Sequence, residues 1–220
     1  MDNIFNMQKP WRPAYFYDNS TFPNLSEINA GGTVSSSEFQ SSAITLPLNY
    51  SISIPVSLAK SIEGKYFTGM TEDLEFGNAT NAWARLYNPP NSGVNLFVNV
   101  WTASDITSSR YRVQIYFNSD PPGIIQESSS VTPTNMTIQP PPEPHVKVEY
   151  AVGVRGFPSG GIRAYGRVAE AGTTINSEEE GKFIFPPGGS FLVFLSNPAT
   201  PTIPAIGKVA FGWWEEPISN

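Results

Sequence analysis

The sequence predicts an all-β protein: a jelly-roll-like β-sandwich carrying an extended N-terminal arm. Three observations lead there. Apolar and polar residues alternate over short runs, the period of a half-buried strand. Those runs are punctuated by 21 prolines and 18 glycines, together with many Asn-containing turns. Charged residues make up only 15% of the 220, and Ser, Thr and Asn fill their place, which suits strands and turns rather than long helices.

The chain opens on an atypical segment. Residues 1–30 hold Ile4, Phe5, Trp11, Tyr15, Phe16, Tyr17 and Phe22, interrupted by Pro10, Pro13 and Pro23. The prolines block a regular helix or a central strand, and the aromatics are too many for a solvated tail. Such a segment is expected to lie against another surface, as a connector. Residues 31–42, rich in Gly and Ser, read as a flexible linker. The remainder, 43–220, reads as the sandwich domain.

Within that domain the clearest alternation runs from Ile44 to Val56, with even positions apolar and odd ones polar or Pro. Pro47 and Pro55 cannot donate ladder hydrogen bonds, so this strand is expected at an edge. Residues 57–63 suit a short helix, begun at Ser57 and stopped at Gly64. Strands are then expected at 82–87, 94–102, 111–117, 146–154, 162–168, 183–185, 191–195 and 208–214. The run Phe191-Leu192-Val193-Phe194-Leu195 is apolar on both faces, as in a strand buried between layers. The proline-rich stretch 132–144 reads as a crossover loop.

Composition narrows the function. There are 13 basic and 19 acidic residues, a net charge of −6, with no basic cluster of the kind that binds nucleic acid. No cysteine is present, so disulfides and thiolate chemistry are excluded. No apolar run is long enough to cross a membrane as a helix, and no secretory signal is visible at Met1-Asp2-Asn3-Ile4-Phe5.

Little points to catalysis, so the protein is expected to be no enzyme, with no catalytic or metal-binding residues and no cofactor. His145, the single histidine, excludes a two-histidine metal site and reads as a partly exposed loop residue. Glu178-Glu179-Glu180 reads as a solvated acidic hairpin tip. The acid pairs Glu72 with Asp73 and Glu215 with Glu216 carry little glycosidase signal, since their separation in space is not given by sequence. The glycine-rich stretches 156–161 and 186–190 lead into strands rather than helices, so they read as hairpin turns and not as phosphate loops. Trp83, Trp101, Trp213 and Trp214 suit either packing or a sugar-stacking face. Trp213 and Trp214 are adjacent in one expected strand and point to opposite faces, so one of them should leave the main core.

Six stretches carry a family resemblance: Gly64-Lys65-Tyr66-Phe67, Asn81-Ala82-Trp83-Ala84-Arg85-Leu86, residues 92–101, 156–161, 181–190, and Phe211-Gly212-Trp213-Trp214-Glu215-Glu216. Through these the chain resembles, from Leu58 to Pro217, an uncharacterised family of spore-forming Gram-positive bacteria. It is also similar to the jelly-roll subunits of endospore appendage fibres: an N-terminal connector, a Gly/Ser joint, and Pro186-Pro187-Gly188-Gly189-Ser190 before an apolar strand. Those subunits join through N-terminal cysteines, so the likeness implies assembly that here must be non-covalent.

The expectation is therefore a structural subunit that forms a filament or surface appendage with copies of itself, outside the cell or on a spore or cell surface. The expected contacts are Ile4, Phe5, Trp11, Tyr15, Phe16, Tyr17, Phe22 and Trp214. The alternatives are a module that binds a surface glycan through exposed tryptophans, or a phage decoration or tail protein.

Overall fold

A computed structural model of the chain describes residues 53–107, 110–198 and 202–218. The expected arm, the linker and most of the 44–56 strand lie outside these residues. The end of that run is described, and there the expectation fails. Residues 53–55 belong to no strand, and Val56 already opens a helix, α1, Val56–Ile62. The short helix itself agrees with the sequence to within a residue. It stops before Gly64, which takes a left-handed φ of 74°.

Twelve strands follow, all paired antiparallel in two sheets. They are β1 Tyr66–Met70, β2 Leu74–Phe76, β3 Asn81–Tyr87, β4 Val94–Asp105, β5 Tyr111–Phe117 and β6 Gln126–Glu127. After these come β7 Val131–Pro133, β8 Lys147–Val154, β9 Ile162–Ala169, β10 Thr174–Phe185, β11 Ser190–Ser196 and β12 Ala205–Pro217. The first sheet has the order β10-β4-β12-β1-β7, with β2 also beside β12, and the second β6-β8-β3-β11-β5-β9.

Setting aside β2, β6, β7 and β8 leaves β10-β4-β12-β1 facing β3-β11-β5-β9. Successive strands of this set pass between the sheets, except β5 and β9, which pair within the second, and this is the winding of an eight-stranded jelly roll. The predicted all-β, jelly-roll-like sandwich is therefore what the described residues adopt. The β6–β8 stretch is an insertion between β5 and β9: it widens the second sheet beyond β3 and adds β7 to the first.

Among the described residues the core lies between the sheets and runs from Phe67 to Trp213. Inward positions alternate as strand geometry demands, with Ala82, Ala84 and Leu86 of β3 facing Leu96, Val98 and Trp101 of β4. Strand β11 is buried at every position, as its apolar run requires. Its outward residues Leu192 and Phe194 join Trp83, Tyr116, Ala151 and Val154 in a second apolar cluster.

That second cluster needs a cover, and two loops supply it. Trp83 Nε1 donates to the Pro122 carbonyl at 2.7 Å, and Phe157 packs on Phe194 with centroids 5.5 Å apart. Asp120 and Ser159 join the loops by two backbone hydrogen bonds of 2.9 and 3.0 Å. The stretch 156–161 is thus no hairpin turn, because β8 and β9 lie far apart in the same sheet. Nor is 186–190, which carries the chain from β10 in the first sheet to β11 in the second.

Candidate functional site

Strand β10 begins at Thr174, well before the expected 183–185, and it contains the acidic triplet. Glu178–Glu180 is therefore not a hairpin tip. Pairing with β4 slips between Glu178 and Phe183, and residues 179–182 arch out of the ladder. Asn99 of β4 lies opposite this irregularity and donates to Tyr66 Oη at 2.7 Å.

The arch sends Glu179 into the protein. One of its oxygens, Oε1, accepts from Trp101 Nε1 at 3.1 Å, Tyr165 Oη at 2.9 Å and Ser177 Oγ at 2.8 Å. Burial, and then the bond to Glu179, push the Tyr165 hydroxyl up to about 12. Arg167 lies 5.7 to 5.8 Å from the rings of Tyr165 and Trp101, and donates to the Asn176 carbonyl and Ser177 Oγ at 3.2 Å each. Three donors thus converge on one oxygen and hold the carboxylate in place. The cluster fastens β9 to β10 where the two sheets end on the same side.

The same arch covers Trp214. Gly181 has φ 76°, and a Cβ there would fall 2.0 Å from Trp214 Cη2. Trp214 stacks on Phe97 with centroids 5.3 Å apart and planes 8° apart, and it is only 5% exposed. As expected, it leaves the main core while Trp213 stays in it. It does not offer the open contact surface foreseen for it, because its own chain covers the ring. Its remaining edge borders a hollow of about 540 Å³ with Pro55, Asn99, Glu178 and Glu180. Trp83, Trp101 and Trp213 are wholly buried, so none of the four described tryptophans forms an exposed sugar-stacking platform. The expected contacts Ile4, Phe5, Trp11, Tyr15, Phe16, Tyr17 and Phe22 lie outside the described residues.

His145 is a loop residue with its side chain 57% exposed. Its neighbour Glu215 is buried and accepts from the His145 and Val146 backbone N–H groups at 3.0 Å and from Trp213 Nε1 at 3.1 Å. That carboxylate pins the end of the 134–145 crossover. Glu216 pairs with Lys60 and Lys65, tying α1 and β1 to β12. Burial alone would raise the Glu216 carboxyl, but the two lysines outweigh it and hold it below its ordinary range. Neither acid of this pair is free for glycosidase work.

The feature that sequence reading missed is a groove on the outer face of the second sheet. Cross-strand register there sets up parallel rows of outward side chains. One row runs Ala151, Trp83, Phe194, Gln114, Gly166, and the next runs Glu149, Arg85, Leu192, Tyr116, Arg163. The covering loops stop at Phe194. Beyond them Arg112, Gln114, Arg163, Gly166 and Val168 line an open hollow of about 460 Å³. Arg112 also borders two smaller hollows, of about 280 and 210 Å³. Gly166 forms part of the floor, with no side chain to fill it. Gln114 is 7% exposed, and among the described residues its Oε1 is buried with no hydrogen-bond partner.

Among the described residues strand β9, which forms the groove's outer wall, pairs only with β5, so none of them covers the far edge of its eight residues. The arginines were hidden from sequence reading by a bulge. Register slips between Ile115 and Tyr116, so Arg163 turns outward while Tyr165 and Arg167 turn inward.

A model of a family of unknown function, DUF6143, matches residues 43–220. The chain belongs to this family. The DUF6143 match takes in all the described residues and begins at the end of the expected linker, leaving the aromatic N-terminal stretch outside it. No curated protein and no solved structure matches the chain.

Proposed function

We propose that this protein is a structural subunit that assembles non-covalently with copies of itself, using its N-terminal segment as the connector. The observation that carries this reading is in the sequence: Ile4, Phe5, Trp11, Tyr15, Phe16, Tyr17 and Phe22 crowd into the first thirty residues between prolines, ahead of a sandwich with an extensive described core of its own. Those side chains call for another surface. Burying five large aromatics at roughly 1.5–3 kcal/mol each offers on the order of 10 kcal/mol per junction before ordering costs.

Two features of the described domain suit a connector. Ile54, Val56, Leu58 and Ile62, on and beside α1, are all exposed, so the path from the N-terminal segment into the sandwich is itself apolar. The β9 edge has unpaired backbone groups to which an extended segment such as 44–54 can add as a further strand. The place of action in this reading is the cell exterior, as part of a filament or appendage on a cell or spore.

Deleting residues 1–40 and imaging the product by negative stain tests it. The intact chain should form fibres or defined oligomers, and the truncated chain should be monomeric. Assemblies that persist unchanged after the deletion would rule out the connector.

A further inference from the structure

The described cations divide into two groups. Lys60, Lys65, Arg85, Arg110, Lys147 and Lys208 each face a carboxylate within ion-pair distance. Among the described residues Arg112, Arg155, Arg163, Arg167 and Lys182 face none; Arg112, Arg163 and Arg167 border the same groove, and of these Arg167 is already engaged with the Asn176 carbonyl and Ser177 Oγ. In a chain of net charge −6, acidic partners are not scarce, so two arginines without an ion pair at either end of one groove, with Gln114 and Gly166 between them, mark a surface prepared for negative charge from elsewhere. Gln114 points the same way: a buried carbonyl oxygen without a donor is costly unless an incoming group supplies one.

The sequence contains a segment of matching charge. From Pro13 to Ala59 there is no Lys or Arg, while Asp18, Glu27 and Glu38 are present. We infer that the Arg112–Arg163 groove is the seat for the acidic stretch of a second copy's N-terminal segment, carboxylates against guanidinium groups. This rests on the connector reading above and adds to it where the connector lands. The chemistry suits the task. Arginine offers paired donors to a carboxylate, the Gln114 oxygen can take a backbone N–H, and Gly166 leaves room for a main chain to approach closely. The neighbouring β9 edge would continue the same contact with backbone hydrogen bonds.

The test uses the full chain. Reversing both charges, Arg112→Glu with Arg163→Glu, should raise the concentration at which assemblies appear in sedimentation velocity by at least about tenfold at low salt. Arg112→Met with Arg163→Met should weaken assembly in the same direction but less. It also guards against misfolding of the reversed protein, checked by circular dichroism.

A second chain carrying Asp18→Arg, Glu27→Arg and Glu38→Arg should co-assemble with the reversed chain and not with itself. If both arginine variants assemble like the parent while the deletion of residues 1–40 does not assemble, the connector stands and this seat is wrong. Should the deleted chain still assemble, the connector reading falls first. Assembly that is unchanged, with the arginines needed only to bind added polyglutamate, would assign the groove to a foreign polyanion and overturn the inference.

Discussion

Arg85 and Arg163 occupy one cross-strand row of the second sheet, three strands apart, in opposite settings. Arg85 is 8% exposed; its Nε donates to Glu149 Oε2 at 2.7 Å, and its guanidinium lies 4.4 Å from the centroid of the Tyr87 ring. Glu149 stands directly opposite it on β8. Arg163 is exposed and faces no acid among the described residues. Where the loops close the face, the chain supplies a counter-charge, because a buried guanidinium without one is costly. Where the face is left open, water solvates the charge and no internal partner is required. The closed half therefore serves the fold, and the open half is free to serve something else.

Glu149→Ala breaks this contrast hardest. It leaves Arg85 buried without its carboxylate and should cost about 3–5 kcal/mol in urea unfolding. Replacing both partners by apolar residues, Arg85→Met with Glu149→Leu, should come out near the parent stability, since the desolvation cost of both charges disappears with them. A loss below about 1 kcal/mol for the single variant would mean that water reaches the pair, and the two halves of the face would no longer differ in kind.

Strands β5 and β9, which carry the open half, hold tyrosines on their inner face, and there alkaline pH gives the next largest effect. Tyr111 on β5 is buried and donates to the Ala103 and Thr173 carbonyls at 2.7 and 3.1 Å; burial pushes its hydroxyl up to about 12. Tyr165 on β9 is raised to a similar value. The folded state thus holds these protons more tightly than the unfolded chain, whose tyrosines titrate near 10. Stability is complete below about pH 10 and is lost as pH rises toward 12, with Tyr111 contributing about 2–3 kcal/mol. Tyr111→Phe should flatten the decline, as followed by thermal unfolding between pH 9 and 12. An equally steep decline in that variant would place the sensitive group elsewhere.

The architecture was legible in the sequence because alternation and turn residues act locally. The apolar runs at Ala82–Leu86 and Phe191–Leu195 read as strands and fold as strands. The number of strands and their spacing pointed to a sandwich, while the winding itself is fixed by long-range pairing and is read from the sheet order. What sequence could not give was the consequence of irregular pairing. Glu178-Glu179-Glu180 looks like a solvated turn, yet the slip in β10 buries the middle acid under three donors. The slip in β9 turns Arg163 to the face where Arg112 already stands, although simple alternation would align it with Tyr165 and Arg167. Trp214 was correctly separated from Trp213, but its cover comes from Gly181, thirty-three residues earlier in the chain. Bulges are set by the whole ladder, so residues they re-aim are the ones a reader of the sequence misplaces.

The smallest effect expected is at the open end. Arg112→Met and Arg163→Met each remove a guanidinium that faces no acid among the described residues, and each keeps an aliphatic stem of similar reach. Stability in denaturant should shift by no more than about 0.5 kcal/mol, the range of surface changes away from special features. The same substitutions should weaken self-association, measured on the same preparations by sedimentation. Fold and assembly would then respond to different arginines of one sheet: Arg85 for the first, Arg112 and Arg163 for the second. A loss of stability at Arg163 as large as at Glu149 would show that the groove arginines hold the sandwich together, and the division between the two halves would have to be given up.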